Sequence, residues 1–329
     1  QQLIPQYEPQ FVETTYGFRP GRSCHDGLKK GQEYLNQGYV WTVDMDLEKF
    51  FDTVNQSKLV EILSRTIKDG RVISLIHRFM RAGAVWCGEF NETTQGVPQG
   101  GPLSPLLANI MLNELDHELE ARGHKFVRYA DDMVIFCKSK ASAIQTLNHI
   151  TPYIERKLFL KVNMEKTVVA YASKIKFLGY GFYKGKSGFR FRGHIKSQRK
   201  LWSNLKGLTN RRKIIELEEW KRKLKYAIVG WVNYYKLADM WKFLERTDEW
   251  LRRRIRMVIL KRWKRVRTKY KNLRQLGISH ENARRQANSR KGLWRSADTP
   301  VIHQALNNER LARNGFTFLL PRYEAVGIS

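Results

Sequence analysis

Apolar and polar positions follow two rhythms along this chain, and the rhythm changes near residue 190. Before it, short apolar runs alternate with segments of helical spacing. After about His194 the spacing is helical nearly throughout. Gly17, Pro20 and Gly21 mark an early turn, and a helix is expected from Cys24 to about Leu35. The run YVWTVDMDLEKFFD begins β-rich and ends in acids, and helical patterns follow from about Gln56 to Arg81. GAVWCGEFNETTQGVPQGGPLSP is broken by Gly and Pro, with short hairpin strands expected at its start. LLANIMLNELDHELEARG spaces its apolar residues as an amphipathic helix. KFVRYA and MVIFCK are short apolar runs that meet at Asp131 and Asp132, as the arms of a β-hairpin would. A helix fits Ser142 to Leu158, and KIKFLGYGFYKGKSGFRFRG reads as two strands around a Gly-rich turn. Residues 211–277 carry about three helices with Gly277 as a stop. A polar, basic stretch around Trp294 and one last helix complete the pattern, and no internal repeat is visible.

Charge changes this picture more than overall composition does. Hydrophobic residues make up 42 % of the 329, as in a globular chain. Lys and Arg number 60 against 31 Asp and Glu, a net charge of +29. Such an excess repels itself and ordinarily serves to hold a polyanion, an acidic membrane surface being the other target. No stretch of about 18 apolar residues indicates a membrane span. Residues 191–300 hold 32 Lys and Arg against 9 Asp and Glu, and seven of the nine Trp. Basic residues interleaved with aromatics suit a surface that neutralises a nucleic-acid backbone and stacks bases. The plainer reading is a helical bundle with most of those Trp in its core. The three Cys (Cys24, Cys87 and Cys137) are far apart with no CxxC, which argues against zinc or a disulfide framework and fits a reducing compartment. The sequence opens on Gln with no signal peptide, and further chain is expected upstream.

Two adjacent carboxylates in an apolar hairpin need a partner, because burying charge alone is costly. Asp46 ends an apolar run 85 residues before Asp131. Three acids at strand ends could converge, and converging carboxylates bind hard divalent cations such as Mg2+. Two such ions, about 3.5–4 Å apart, activate an attacking oxygen and stabilise a leaving one, which is phosphoryl-transfer chemistry. The alternative is that Asp131 and Asp132 are only turn residues. Gln95 to Leu112 sets a Gly/Pro loop directly before a helix, where backbone N–H groups can approach a phosphate. Its alternative is a structural loop with Pro near a helix start.

Together these stretches resemble the reverse transcriptases. DLEKFFD is similar to their first catalytic motif, with Asp46 as metal ligand and Phe51 where the 2′-hydroxyl of a nucleotide is crowded out. GVPQGGPLSPLLANI resembles their template- and nucleotide-contacting motif, centred on Gln99. YADD, Tyr129 to Asp132, matches the metal-binding hairpin. LKVNMEKT and FLGYGF resemble the two later palm motifs. YGFRPGRSCHD, AIVGWVNYYK and WLRRRIRMVILKRWKRVRT resemble the group II intron branch, the intron-encoded reverse transcriptase–maturases, and the likeness covers essentially the whole chain. Nothing resembles a Cys-paired endonuclease domain, as in the compact bacterial class.

The resemblance implies an α+β fold: a right-hand polymerase palm with partial fingers, then an α-helical thumb/maturase region. The implied domains are 1–190 (partial fingers and palm), 191–264 (helical thumb/maturase) and 265–329 (basic DNA-binding/maturase tail). It implies that Asp46, Asp131 and Asp132 are catalytic and hold two Mg2+, with Mn2+ as an alternative. Phe51, Gln99, Lys166, Arg19 and Arg22 would contact the nucleotide; for Lys166 the choice is between protonating pyrophosphate and a structural role, and for the two arginines between nucleotide contact and surface charge. Tyr129, Lys261, Arg262, Lys264, Arg265 and Arg267 would contact nucleic acid. Asp44, on the strand face of Asp46, would support the site or be structural, and Asp52 would be structural. The implied function is RNA-directed DNA synthesis in group II intron splicing and retrohoming. Intron RNA, primer or target DNA and dNTPs would be the partners, in a cytoplasmic bacterial intron ribonucleoprotein. The alternative is a splicing maturase that binds RNA and dispenses with polymerisation. The family has finger segments ahead of QQLIPQYEPQF, expected here from upstream sequence or another chain.

Overall fold

A computed structural model describes residues 2–86, 89–91, 93, 95–212 and 216–327. Cys87 lies outside the described residues. The chain divides into two compact units, Gln1–Phe191 and Arg192–Ser329.

The first unit opens with the short helix α1 (Ile4–Tyr7) and then α2 (Cys24–Asn36). Ser23 and Asp26 begin α2 with a reciprocal capping box. Strand β1 (Trp41–Met45) leads into the one-turn helix α3 (Phe50–Thr53). The helical stretch expected from Gln56 to Arg81 is two helices, α4 (Gln56–Thr66) and α5 (Gly70–Arg81). Asp69 separates them, because its carboxylate accepts the Arg71 N–H and starts a new helix. Strands β2 (Ala84–Trp86) and β3 (Glu89–Asn91) pair as a hairpin. Then come α6 (Ser104–Ala121), β4 (Lys125–Tyr129), β5 (Asp132–Cys137), α7 (Lys140–Lys157), β6 (Val168–Tyr171), β7 (Tyr180–Gly185) and β8 (Gly188–Gly193).

The central sheet has the order β4-β5-β1-β6 and is antiparallel throughout. Strand β6 was not foreseen; its four residues follow a polar motif and carry too short a run to read alone. One sheet face, with Val43, Met45, Met133, Ile135 and Cys137, enters a core shared with Leu107, Met111, Leu115, Ile150 and Ile154 of α6 and α7. Burying each such side chain contributes about 1.5–3 kcal/mol, so α6 and α7 brace the sheet from behind. The other face stays partly open toward the β4–β5 turn.

The second unit is helical: α8 (Ile195–Leu208), α9 (Leu217–Tyr234), α10 (Trp241–Arg262), α11 (Val266–Gln275), α12 (His280–Ala287), α13 (Leu293–Ser296), α14 (Pro300–Ala305), α15 (Asn308–Arg313) and α16 (Leu319–Ala325). Its interior includes Leu205, Leu224, Ile228, Leu244, Leu251, Ile255 and Leu319. Beyond Gly277 the described residues form five short helices where one was expected. Ser279 and Asn307 cap two of them, signals too small to stand out in a polar stretch. Most Trp of this unit are not core, contrary to the plainer reading. Trp220 is buried, Trp202 and Trp241 are exposed, and Trp231, Trp250, Trp263 and Trp294 are half-buried. They lie along helix margins, where an indole can pack one edge and keep the other wet. No helix among the described residues is long and apolar enough to cross a membrane.

Candidate active site

Side chains alternate along a strand, so Val43 and Met45 of β1 enter the core while Asp44 and Asp46 share the opposite face. The register sets Asp44 opposite Val134 and Met45 opposite Met133. One further step along both strands brings Asp46 level with Asp132. Tyr129 pairs with Asp132 across the hairpin, leaving Ala130 and Asp131 as its two loop residues. The sheet thus gathers Asp44, Asp46, Asp131 and Asp132 at one end.

The turn is strained. Ala130 has φ +58°, in the left-handed region that costs a non-glycine residue about 1–2 kcal/mol. A buried guanidinium holds it there. Arg128 donates from Nη1 to the Ala130 carbonyl at 2.9 Å and to Asn109 Oδ1 at 3.0 Å. Its Nε and Nη2 engage both carboxylate oxygens of Asp116. Neither Arg128 nor Asp116 is exposed. Thr15 Oγ1 donates to Asp116 at 2.9 Å, and Asn109 Nδ2 donates to the Gly17 carbonyl at 2.8 Å. A buried ion pair offsets its desolvation only when its remaining polar atoms are also bonded, as they are here. Gly17 lies so close that a Cβ there would sit 2.2 Å from the Ala130 nitrogen.

The electrostatics follow from crowding. Burial pushes the Asp44 carboxyl up to about 7, the charges of Asp132 and Asp46 add to the rise, and Lys176 opposes it. Asp132 is also raised, first by desolvation and then by Asp131. Its side chain is solvent-accessible, but packed protein fills much of the space around its carboxyl. Lys166 Nζ stands 3.7 Å from Asp46 Oδ1. The Asp46 backbone is pinned by the same segment: its N–H donates to Thr167 Oγ1 at 3.2 Å and its carbonyl accepts the Asn163 N–H at 2.9 Å. Among the described residues no three His, Cys, Asp or Glu side chains are gathered closely enough to close a metal site by themselves. The donors are hard carboxylate oxygens; burial and then neighbouring acids disfavour the charged forms of Asp44 and Asp132, and a hard divalent cation would relieve that cost.

The structure also fastens the loop that carries Gln99 to the Phe51–Asp52 segment. Gly96, at φ +84°, packs its backbone on that of Phe51 and Asp52, and a Cβ there would meet the Phe51 carbonyl at 2.6 Å. The Val97 N–H donates to the Phe51 carbonyl at 2.7 Å, and Gln99 Nε2 reaches Asp52 Oδ1 at 3.5 Å. The loop before α6 is therefore fastened to the helix after Asp46. Tyr129 is half-buried at the base of the turn.

Arg19 is a correction. Its guanidinium is buried and donates to Glu8 Oε1 and to the carbonyls of Glu8, Val12 and Thr15. A guanidinium has five N–H donors, and these bonds with the Glu8 ion pair occupy them, so none is left for a nucleotide. Arg22 pairs with the Glu13 carboxylate and carbonyl. Lys261, Arg262, Lys264, Arg265 and Arg267 belong to the second unit, around the joint of α10 and α11, and Arg262 lies over the Trp220 ring.

Sequence reading missed Arg128, Asp116, Asn109, Thr15, Gly17 and Lys176. One signal was available. Asn109, Leu112 and Asp116 fall on one helical face, so two polar residues occupy core positions of an apolar helix, and Arg128 interrupts an apolar strand. Polar residues at core positions imply one another as partners.

Residues 1–182 match the family model described as reverse transcriptase (RNA-dependent DNA polymerase), and residues 198–277 match the group II intron maturase-specific domain. The group II intron-encoded protein LtrA of Lactococcus lactis subsp. cremoris is 29% identical, over 55% of this chain and 41% of that protein. Protein YkfC of Escherichia coli is 31% identical, over 58% of this chain and 57% of that protein. A solved telomerase from Candida albicans is similar at 12% identity and TM-score 0.48, covering 99% of this chain and 55% of that one. The chain thus spans about two fifths to three fifths of the length of these two relatives. With more than half its length matched by the first model, the chain belongs to the reverse transcriptase (RNA-dependent DNA polymerase) family and carries the maturase-specific domain of group II introns.

Proposed function

We propose that this chain forms the catalytic palm and the nucleic-acid-binding helical part of an RNA-directed DNA polymerase that acts in group II intron splicing and retrohoming. One observation carries the reading: Asp46 and the Asp131–Asp132 turn occupy one end of one sheet, and a buried network built on Arg128 and Asp116 holds the turn. Asp46, Asp131 and Asp132 would hold two Mg2+ or Mn2+ ions. Bound there, such ions supply a more acidic primer hydroxyl and neutralise charge on the departing pyrophosphate. Phe51, and Gln99 on the loop fastened to the Phe51–Asp52 backbone, would bound the nucleotide on its sugar and base sides. Lys166, exposed and beside Asp46, would meet the triphosphate. Intron RNA would serve as template and splicing partner, with dNTPs and a target or primer DNA, in a cytoplasmic ribonucleoprotein. We propose the same functional division as before: 1–190 for palm and partial fingers, 191–264 for thumb/maturase, and 265–329 as a basic tail.

The test is primer extension on poly(rA)/oligo(dT) with Mg2+. Asp131→Asn/Asp132→Asn should lower extension by at least about 10²–10³-fold, the size of losing charge stabilisation at a reacting centre, while RNA binding stays within about twofold. Full extension by this variant would sink the polymerase reading. A second reading, an RNA-binding maturase that does not need polymerisation, is favoured by the maturase-specific match. Intron splicing that survives the same substitutions would support it.

A further inference from the structure

The second unit holds a cavity of about 360 Å3 between the end of α8, the middle of α10 and α13. Its lining is Lys206, Asn210, Arg211, Arg254, Met257 and Trp294. That is three cations, an amide, a thioether and an indole, with no carboxylate. Lys206 and Arg211 are exposed; Arg254 is half-buried. The Arg254 guanidinium donates to Thr209 Oγ1 at 2.5 Å and to the carbonyls of Lys206 and Thr209 at 3.1 and 3.0 Å. All three acceptors are neutral. Burial lowers its pKa, and no nearby acid counters that. A charge drawn part-way out of water and answered only by dipoles keeps its attraction for an anion.

The aromatic wall is braced by Arg253. Arg253 lies 4.0 Å over the Trp294 ring, donates twice to the Trp294 carbonyl, and pairs with Asp298 at 2.9 Å. Beside the cavity, Arg254 lies 5.1 Å over Trp250, which stacks on the exposed Trp202 at 4.8 Å with the rings 8° from parallel. Cations next to fixed, flat π surfaces are the elements of a single-strand binding platform. The volume suits a small ligand, and a nucleotide is the ligand that needs both an anion site and a stacking site.

We propose that this cavity takes one unpaired nucleotide of a bound single strand, its phosphate against Lys206, Arg211 and Arg254 and its base against Trp294 and Met257. The inference rests on reading the second unit as a polynucleotide-binding surface. It goes further, because charge alone grips duplex and single strand alike, whereas this cavity accepts only a base that is out of its stack.

The test uses the full chain and fluorescence anisotropy with three labelled probes: oligo(rU), oligo(dT) and a blunt, fully paired RNA duplex. Trp294→Leu should weaken single-strand binding by about tenfold, as for loss of one stacked base, and leave the duplex within about twofold. Trp294→Phe should restore most of the affinity. Lys206→Gln/Arg211→Gln, at exposed positions that folding does not need, should lower the slope of log K against log salt by about 1–2 on the single strand. Loss on oligo(rU), on oligo(dT) or on both supports the cavity and identifies its strand. An equal loss on the duplex, or no loss on any probe, overturns it. If Trp294→Leu fails to fold, the Lys206→Gln/Arg211→Gln pair decides. A wild-type chain that binds none of the probes would defeat the polynucleotide reading itself; wild-type binding with unmoved variants defeats only the cavity.

Discussion

The two units treat buried charge in opposite ways. In the first, Arg128 is closed off by Asp116, and Arg19 by Glu8. In the second, Arg254 is answered only by Thr209 and two carbonyls, while Arg256 is answered by the Leu306 carbonyl, Asn308 and His303, with Asp298 partly offsetting its burial. The buried acid there, Asp248, is held mainly by two backbone N–H groups of α16, at 2.8 Å each. The first unit neutralises its interior and leaves acids clustered at a sheet end, a place that attracts cations. The second leaves cations under-compensated, a place that attracts a polyanion. The difference is consistent with a division of labour between chemistry and grip.

Five substitutions would break or sharpen that contrast. The largest effect is expected for Arg128→Met, which strands a buried carboxylate and should cost about 3–5 kcal/mol, read as an earlier melting transition of the first unit. Adding Asp116→Leu should return at least half of that stability. Primer extension should stay depressed, because the Ala130 carbonyl still lacks its donor. Recovery of both stability and extension would reduce the network to packing. Gly17→Ala comes next. Its methyl would collide with the turn, at about 1–3 kcal/mol for overpacking, and kcat should fall more than KM changes; an unchanged kcat would show that the turn tolerates displacement.

In the second unit, Asp248→Asn keeps one acceptor for two N–H donors and should cost about 1–2 kcal/mol. Burial raises the Asp248 pKa above its usual 3.8. A raised folded-state pKa contributes stability fully below the unfolded value and loses it as pH rises through the folded one. The gap in melting temperature between wild type and Asp248→Asn should therefore narrow as pH rises from about 4; a widening gap would refute the desolvation account. The smallest effect belongs to Arg65→Ala, whose exposed pairs with Glu61 and Glu114 should be worth under about 1 kcal/mol by urea unfolding.

Much of this was readable in the sequence wherever a local rule was strong. The hairpin around Asp131 and Asp132 came from two apolar runs meeting at acids, and α2, α6 and α7 from spacing and flanking turn signals. The split between α4 and α5 depended on one aspartate, and β6 on four residues, both too local for a periodic signal. Arg19 was misread because an arginine in a Gly/Pro turn looks exposed until the carbonyls that enclose it are known. The clamp on the turn was missed for a different reason. Thr15, Asn109, Asp116 and Arg128 are spread over more than a hundred residues, and each alone is an ordinary polar residue. Only the fold makes them one object.

Strand β4 is the outer strand of its sheet, and an outer strand ordinarily presents unpaired backbone groups that a neighbouring molecule can extend. Here the Arg128 N–H donates to the Thr14 carbonyl and the Arg128 carbonyl accepts the Tyr16 N–H, so the chain blunts its own sheet edge with the segment that also leads to Gly17. The residue that steadies the acidic turn through its side chain thus protects the sheet from self-association through its backbone.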